Sequence, residues 1–308
     1  MGMSAVETTR TVTYEANVGL QLQQTQPKIA GFAAQGSHVG PKVQLEDLFG
    51  AATPQDKDTR NGTTKTSDLD ITRRWLAKPK ERYFNHYIDN DDTLETSIDL
   101  KGPYTMAGAA TIQRVKDEAW LLGYYKPAIT GEEGATSVPF KAANVLPVAT
   151  GGGGTGLTIA KIMAGLEILR GNHVDLDVEK PVIPVTSKQI TDLLKQIEIT
   201  STDFNPRDKQ ALQEGIVREI LGCLFVPIEF GNAASFKKAA PLTLDGNGDR
   251  LVPMFVPSGM HLGTWQALRA HVGQRWDMEG SWQIFAGTTV GATRMNEDKC
   301  LLLTCKEN

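Results

Sequence analysis

The stretch from Arg73 to Tyr125 constrains the fold more than any other part of this chain. It opens on a basic segment holding Arg73, Arg74, Lys78, Lys80 and Arg82. An acidic segment follows, with Asp89, Asp91, Asp92, Glu95 and Asp99, and then a long amphipathic pattern. Pro103 suits the first turn of a helix, where its missing N–H would have no partner anyway. Met106, Ala109, Ile112, Val115, Ala119 and Leu122 recur at helical spacing and predict one apolar stripe. Gln113, Arg114, Lys116, Asp117 and Glu118 are expected on the opposite, polar side. Trp120 widens the apolar face, and Gly123 is expected to cap the C-terminus.

At 308 residues the chain can bury more than one core. Residues 1–45 are polar, with Gly31, Gly36 and Gly40 and no helix-length pattern, and read as an extended arm. Residues 51–72 are rich in Thr, Asp, Asn and Gly, and Asn61-Gly62 is a hairpin-turn signal. A two-stranded ribbon is expected there, marginal alone and needing something to lie against. Trp75, Tyr83, Phe84, Tyr87 and Ile88 suit strand structure, broken by Pro79. Residues 130–137 read as a polar loop.

Helix signals then fall at 157–169, 188–196 and 207–217, and strand signals at 182–185, 221–228 and 251–256. This is an α/β region with its own sheet. Toward the end, Trp282, Ile284, Ala286, Thr288 and Val290 alternate with more polar neighbours. Asn296, Glu297 and Asp298 make a turn, and 300–305 is an almost wholly apolar strand.

Composition excludes several classes. Apolar content of 40% and charged content of 22% are those of a globular protein. A net charge of −4 implies no general affinity for nucleic acid. No secretory signal stands at the start, and no apolar run approaches the roughly 20 residues needed to span a bilayer. The three cysteines are Cys223, Cys300 and Cys305. The last two lie on one strand and should face opposite sides, so reduced, buried thiols in a cytosolic setting are expected.

The sharpest enzymatic candidate is the run from Gly151 to Gly156, where Gly151, Gly153 and Gly156 fit G-x-G-x-x-G. A short strand signal at 144–148 precedes it, a helix follows, and Asp175 and Asp177 lie where a ribose-binding acid would sit. Against this, Pro147 interrupts the strand, and the two acids read as a loop. The other reading is a flexible hinge between two domains. No phosphate-loop lysine, G-x-S-x-G turn or His-Glu-x-x-His is present. Asp245 starts like a calcium loop, but Arg250 and Val256 stand where Gly and Glu are required, so a surface turn is expected. His38, His86, His173, His261 and His271 show no ligand spacing, so neither a metal nor a cofactor is expected.

Each charge block reads equally well as a solvated face or as a patch that registers subunits. The second reading makes Arg73, Arg74, Lys78, Lys80, Arg82, Asp89, Asp91, Asp92 and Glu95 candidate intersubunit contacts, since a symmetric assembly repeats every weak pair.

Several pieces occur in a telling order. They are Arg73-Arg74-Trp75, Ile88-Asp89-Asn90-Asp91-Asp92, Gly102-Pro103-Tyr104 and Gly131-Glu132-Glu133-Gly134. Thr155-Gly156-Leu157, Ser258-Gly259-Met260-His261-Leu262-Gly263 and Gly291-Ala292-Thr293-Arg294 follow. Together they resemble the major capsid proteins of tailed bacteriophages, which share the Hong Kong 97-type fold. The resemblance implies an α+β chain with an N-terminal arm (1–45) and an extended loop (46–78). It implies a peripheral domain (79–145 and 271–308) with a spine helix at 103–123, and an α/β axial domain (146–270).

It implies a non-enzymatic virion protein that self-assembles into hexamers and pentamers of an icosahedral head enclosing double-stranded DNA. Assembly would take place in the cytoplasm of a bacterial host. Implied partners are further copies of the chain, a separate scaffolding protein (the arm is shorter than a fused scaffold), a portal protein, a decoration protein, and packaged DNA contacted nonspecifically. Some members cross-link Lys to Asn, for which Lys57, Lys65 and Asn308 are conceivable participants. The alternatives are an encapsulin-type compartment and a dinucleotide-binding enzyme built on Gly151 to Gly156.

Overall fold

The computed structural model describes residues 24–56, 60, 64, 66–89, 101–152, 155–196, 218–229 and 244–307. The pattern around Pro103 becomes α1 (Lys101–Tyr125). This helix packs along a four-stranded sheet ordered β1 (Ala34–Ser37), β12 (Met260–Arg275), β13 (Ser281–Arg294), β4 (Arg82–Ile88). A six-stranded mixed sheet is ordered β7 (Val145–Leu146), β14 (Cys300–Lys306), β11 (Asp249–Phe255), β8 (Val182–Val185), β10 (Cys223–Pro227), β9 (Glu219–Ile220). The third sheet runs β2 (Lys42–Phe49), β3 (Ile71–Ala77), β5 (Ala128–Thr130), β6 (Thr136–Val138). Two shorter helices, α2 (Ile159–Gly171) and α3 (Ser187–Leu194), belong with the six-stranded sheet.

Both faces of the six-stranded sheet are buried, which is why β14 reads as a continuous apolar run. Cys300 and Leu302 join Trp120, Tyr124, Val182 and Phe255 on the α1 side. Leu301, Leu303 and Cys305 join Ile162, Leu166, Leu169 and Leu193 on the α2 and α3 side. The two cysteines thus face opposite ways, as their odd spacing requires. Thr186 caps α3 in a reciprocal box with Gln189, and Thr158 caps α2 through the Lys161 N–H.

The C-terminal half of α1 is wedged between the two larger sheets. Trp120, Leu121 and Tyr124 are fully buried. The Tyr124 hydroxyl donates to the Leu301 carbonyl (2.6 Å) and the Tyr125 hydroxyl to the Leu251 carbonyl (2.6 Å). The helix is therefore not the one-striped element its sequence predicts. Met106 is exposed, while Asp117 and Glu118, expected in solvent, are buried. Chain distant in sequence covers that side. Asp117 accepts from the backbone N–H groups of Lys28 (2.8 Å), Ile29 (3.1 Å) and Ala30 (2.9 Å), which fastens the arm to the helix. Glu118 pairs with Arg82 of β4 at 2.5 Å.

Gly123 is not the C-cap either. It lies inside the helix, and a Cβ there would collide with the backbone carbonyl of Ala292 in β13. The helix end is closed by Arg294, which is fully buried. Its Nη1 donates to the carbonyls of Tyr124 and Lys126, its Nε donates to Glu297 Oε2 (2.8 Å), and its guanidinium lies over the Phe140 ring. Arg74 of β3 reaches the same place. Its Nε donates to the Met295 carbonyl (2.8 Å), and its Nη2 stands 3.7 Å from Glu297. Burial pulls the Arg74 guanidinium below its ordinary value, and Glu297 opposes that pull.

Other boundaries shift. The ribbon ladder pairs Lys42–Phe49 with Ile71–Ala77, so β2 begins inside the expected arm. Asn61, Gly62 and the expected helix at 207–217 lie outside the described residues. The expected loop at 130–137 is the β5–β6 hairpin, which extends the ribbon sheet at its root through Arg74↔Thr130 and Trp75↔Ile129. β12 runs unbroken through residue 270, and β14 joins the six-stranded sheet. The segment after 270 is divided between two sheets, with β13 in the four-stranded one and β14 in the six-stranded one.

Two predictions follow from the α1–β13 junction. Gly123→Ala should lower the unfolding free energy in urea by about 1–3 kcal/mol. Gly31→Ala, whose Cβ would meet nothing within 4 Å, should change it by less than about 0.5 kcal/mol. In the same assay Arg74→Ala should cost about 3 kcal/mol by stripping a buried charge cluster. Lys80→Glu, at an exposed site, should cost less than about 0.5 kcal/mol.

Candidate intersubunit surfaces

The basic block does not form one surface. Successive strand residues face opposite ways, so Arg73 and Arg74 part company at once. Arg73 Nε lies 3.1 Å from Asp47 Oδ1, a cross-strand pair between β3 and β2 on the open face of the ribbon. Arg74 turns inward to Glu297, and Arg82 is held by Glu118. Lys78 and Lys80 are exposed at the turn between β3 and β4, and Asp89 is exposed just after β4. Asp91, Asp92, Glu95 and Asp99 lie outside the described residues. Within the described part of the blocks, Arg73, Lys78, Lys80 and Asp89 are the charges reachable from outside, while Arg74 and Arg82 hold the fold together.

Sequence reasoning missed two apolar surfaces. Phe49 and Ile71 are cross-strand partners at the far end of the ribbon, 66% and 54% exposed. Trp276 is 82% exposed at the tip of the β12–β13 hairpin, beside Met278. That tip is stiffened by Arg275, whose Nε and Nη2 donate to the two carboxylate oxygens of Asp277 (2.7 and 2.5 Å). The pairing holds the Asp277 carboxyl down at about 2. Glu279 and Gly280 then turn the chain with φ of 52° and 78°. The sequence signal was only a lone large apolar side chain in a polar stretch. It gains meaning once the hairpin is seen to project.

The glycine run is built differently from a dinucleotide loop. The strand before it, β7, has two residues and sits at the sheet edge. At the start of α2 the Ile159 N–H is already taken by Gln196 Oε1 (2.9 Å) and the Lys161 N–H by Thr158. The Asp192 carboxylate crowds Gly156, so negative charge already stands where a phosphate would bind. Asp175 accepts from the Asp177 N–H (3.0 Å) in a turn after α2 and is not at a strand end. Lys161 Nζ donates to the carbonyls of Thr155 (2.6 Å), Gly156 (3.0 Å) and Thr304 (3.0 Å), pinning the end of the run to β14. Burial pulls that ammonium down. Gly151 and Gly152 use φ of 79° and 115°, and Gly153 and Gly154 lie outside the described residues.

Asp245 closes a surface turn by accepting from the Asn247 and Asp249 N–H groups (both 2.8 Å). The three thiols are buried, which pushes Cys223 and Cys305 up to about 12 and Cys300 further in the same direction. Such thiols are poor nucleophiles. Among the described residues no group of three or more His, Cys, Asp or Glu side chains could hold a metal ion. Two histidines absent from any sequence pattern do meet: His38 Nε2 lies 2.9 Å from His261 Nε2.

A two-faced sheet, a wedged long helix and an outlying ribbon can be compared with known proteins as one architecture. A family model described as phage capsid protein matches residues 6–307. A search of curated proteins found no match. Among solved structures, the capsid of the cyanophage P-SCSP1u is similar with a TM-score of 0.74 at 12% identity, over 100% of this chain and 96% of that one. The capsid of the cyanophage Pam1 gives 0.71 at 12% identity, over 99% and 98%. A Mycobacterium phage Che8 chain gives 0.66 at 16% identity, over 96% and 97%. At these identities the structural likenesses speak for the fold, and the family model speaks for membership. The chain belongs to the phage capsid protein family and has the Hong Kong 97-type fold of tailed-phage major capsid proteins.

Proposed function

We propose that copies of this capsid protein assemble as hexamers and pentamers into an icosahedral head shell around double-stranded DNA, and that the chain has no catalytic role. The observation that carries this reading is the β2–β3 ribbon. Beyond its root it presents Phe49 and Ile71 to solvent. A two-stranded ribbon has little stability by itself, and an exposed apolar pair at its end gains from being covered. A neighbouring copy would provide that cover. The sheet carrying α1 would then act as the peripheral part and the six-stranded sheet with α2 and α3 as the axial part.

The charged residues left outside the fold fit a supporting role. Arg73, Lys78 and Lys80 on one copy would face Asp89 and the acidic residues Asp91, Asp92 and Glu95 on another. Each exposed pair contributes only ~0–1 kcal/mol. Their value is in register and in repetition over many equivalent contacts. A net charge of −4 suits a lining that touches packaged DNA without gripping it. The further partners would be a separate scaffolding protein, a portal protein and a decoration protein, with assembly in the cytoplasm of the bacterial host. An encapsulin-type compartment would share the fold. The match to a phage capsid family favours the viral shell, and DNA instead of cargo protein inside purified particles is the distinguishing result.

The ribbon can be tested directly. Phe49→Asp with Ile71→Thr should leave the circular dichroism and urea midpoint of the isolated chain unchanged. It should also abolish the fast-sedimenting particles made by the unmodified chain under the same co-expression conditions. Normal particle yield from this double variant would remove the ribbon from the assembly account.

A further inference from the structure

At the root of the ribbon the structure holds a feature that neither the shell reading nor the family match assigns. His38 and His261 face each other Nε2 to Nε2 at 2.9 Å, with ring centroids 5.1 Å apart. His38 follows β1, and His261 lies on β12, the strand β1 pairs with. Gly36 and Gly263 are register partners in that pairing, and the rings meet in the space their missing side chains leave. A Cβ on Gly36 would stand 3.0 Å from His261 Cε1, and a Cβ on Gly263 would stand 2.7 Å from His38 Cδ2. The Trp265 ring lies 5.6 Å from His38, and its Nε1 donates to the Gly40 carbonyl (2.8 Å). The His38 N–H donates to the Thr264 carbonyl (2.9 Å), and the Lys78 N–H donates to the Pro41 carbonyl (2.9 Å). Lys42, the first ribbon residue, follows immediately.

We propose that His38 and His261 form an acid-released latch that holds residues 37–41, the segment entering β2, against β12 at neutral pH and frees that segment on acidification. In a ring-to-ring hydrogen bond one imidazole donates and the other accepts, so only one proton can sit between the two nitrogens. Once both rings are charged, two cations are in contact and no acceptor is left between them. Among the described residues, burial and the charge of His38 are what act on His261. β1 carries no ionisable residue, and β12 carries none between His261 and Arg269. β13 sets Thr293 opposite His261. β3 contributes Leu76, which crowds Gly263, while Arg74 on the same strand is occupied with Met295 and Glu297. Among the described residues, the ribbon root adds the cations Lys42 and Lys78.

Burial, and secondly the charge of His38, lower His261 from 6.5 to about 4. The latch is therefore at full strength above 6.5. As pH falls from there toward 4, the open form takes up a proton that the closed form refuses, and the balance moves toward open by up to about tenfold per pH unit. The Asp117 anchor lies upstream of this point and holds Lys28, Ile29 and Ala30. Acid should thus free residues 37–41 while the arm stays attached. β3 stays tied to β5 and to the Met295 carbonyl, so the release is confined to the β2 side of the ribbon root. Its meaning for a shell rests on the proposed role of the ribbon, but the latch itself is tested on the unassembled full-length chain.

Val39 is 92% exposed and Gly31 has open space at its Cβ, so Val39→Cys and Gly31→Cys each accept a spin label while the native thiols stay buried. From pH 8 to 4.5 the label at 39 should change from restricted to mobile with a midpoint below 6.5, and the label at 31 should stay restricted. In a His38→Gln, His261→Gln background the label at 39 should show no transition over this range. Three results would overturn the latch: no transition at 39 in the native-histidine chain, an unchanged transition in the glutamine background, or simultaneous release at 31 and 39. The first and third need only the native-histidine chains, so they decide the matter even if the glutamine variant fails to fold.

Discussion

The C-terminal half of α1 is the constraint on which the rest of this subunit depends. At Gly123 the helix backbone touches the backbone of β13, and one residue of side chain there would push the two apart. Arg294 then closes the helix by binding its last carbonyls and turns back to Glu297, where Arg74 also arrives. Helix carbonyls left without partners in a dry interior carry a heavy penalty, so a buried guanidinium is an effective stop. Through this junction the helix is tied to β13, the sheet of β14 packs on Trp120 and Tyr124, and the ribbon root is tied to both. Two sheets and a helix thereby become one body.

That body contrasts with what hangs from it. The two larger sheets meet the helices through buried Leu, Ile, Val, Met and Phe side chains. The arm is fastened by backbone hydrogen bonds to one carboxylate, by Ile29 and Ala30 buried beside α1, and by a four-residue strand, the ribbon by its root alone. Stability per residue is therefore high in the body and low in the appendages, and local opening follows that gradient. A shell built from chemically identical subunits in unlike positions needs this division. On the proposed assembly the body would keep its shape, while the arm and ribbon would meet different neighbours.

How much of this could be read beforehand depended on the range of the interactions. Strand β8 at Val182–Val185, the apolar β14 and the opposed cysteines follow from alternation along a few residues, and all three were legible. The long helix was legible too, but not its surroundings. Asp117 and Glu118 look solvent-facing because nothing nearby in sequence announces that Ile29 and Arg82 will cover them. Gly123 resembles a C-cap until β13 is seen against it. The charge block at 73–82 reads as one patch, yet strand alternation turns Arg74 into the core. The contact between His38 and His261 spans 223 residues and two glycines, and no local pattern encodes it. The family resemblance, carried by the order of short motifs, reached further than any of these local signals.

The most direct measurement is an electron-microscopy reconstruction of particles formed by the full-length chain, with subunits at fivefold and sixfold positions compared. The account predicts closed polyhedral shells in which the α1-centred body superposes between positions, while the ribbon and arm differ and the Phe49 end lies on another copy. Discrete small oligomers under all assembly conditions would contradict it. So would shells in which the ribbon folds back on its own subunit.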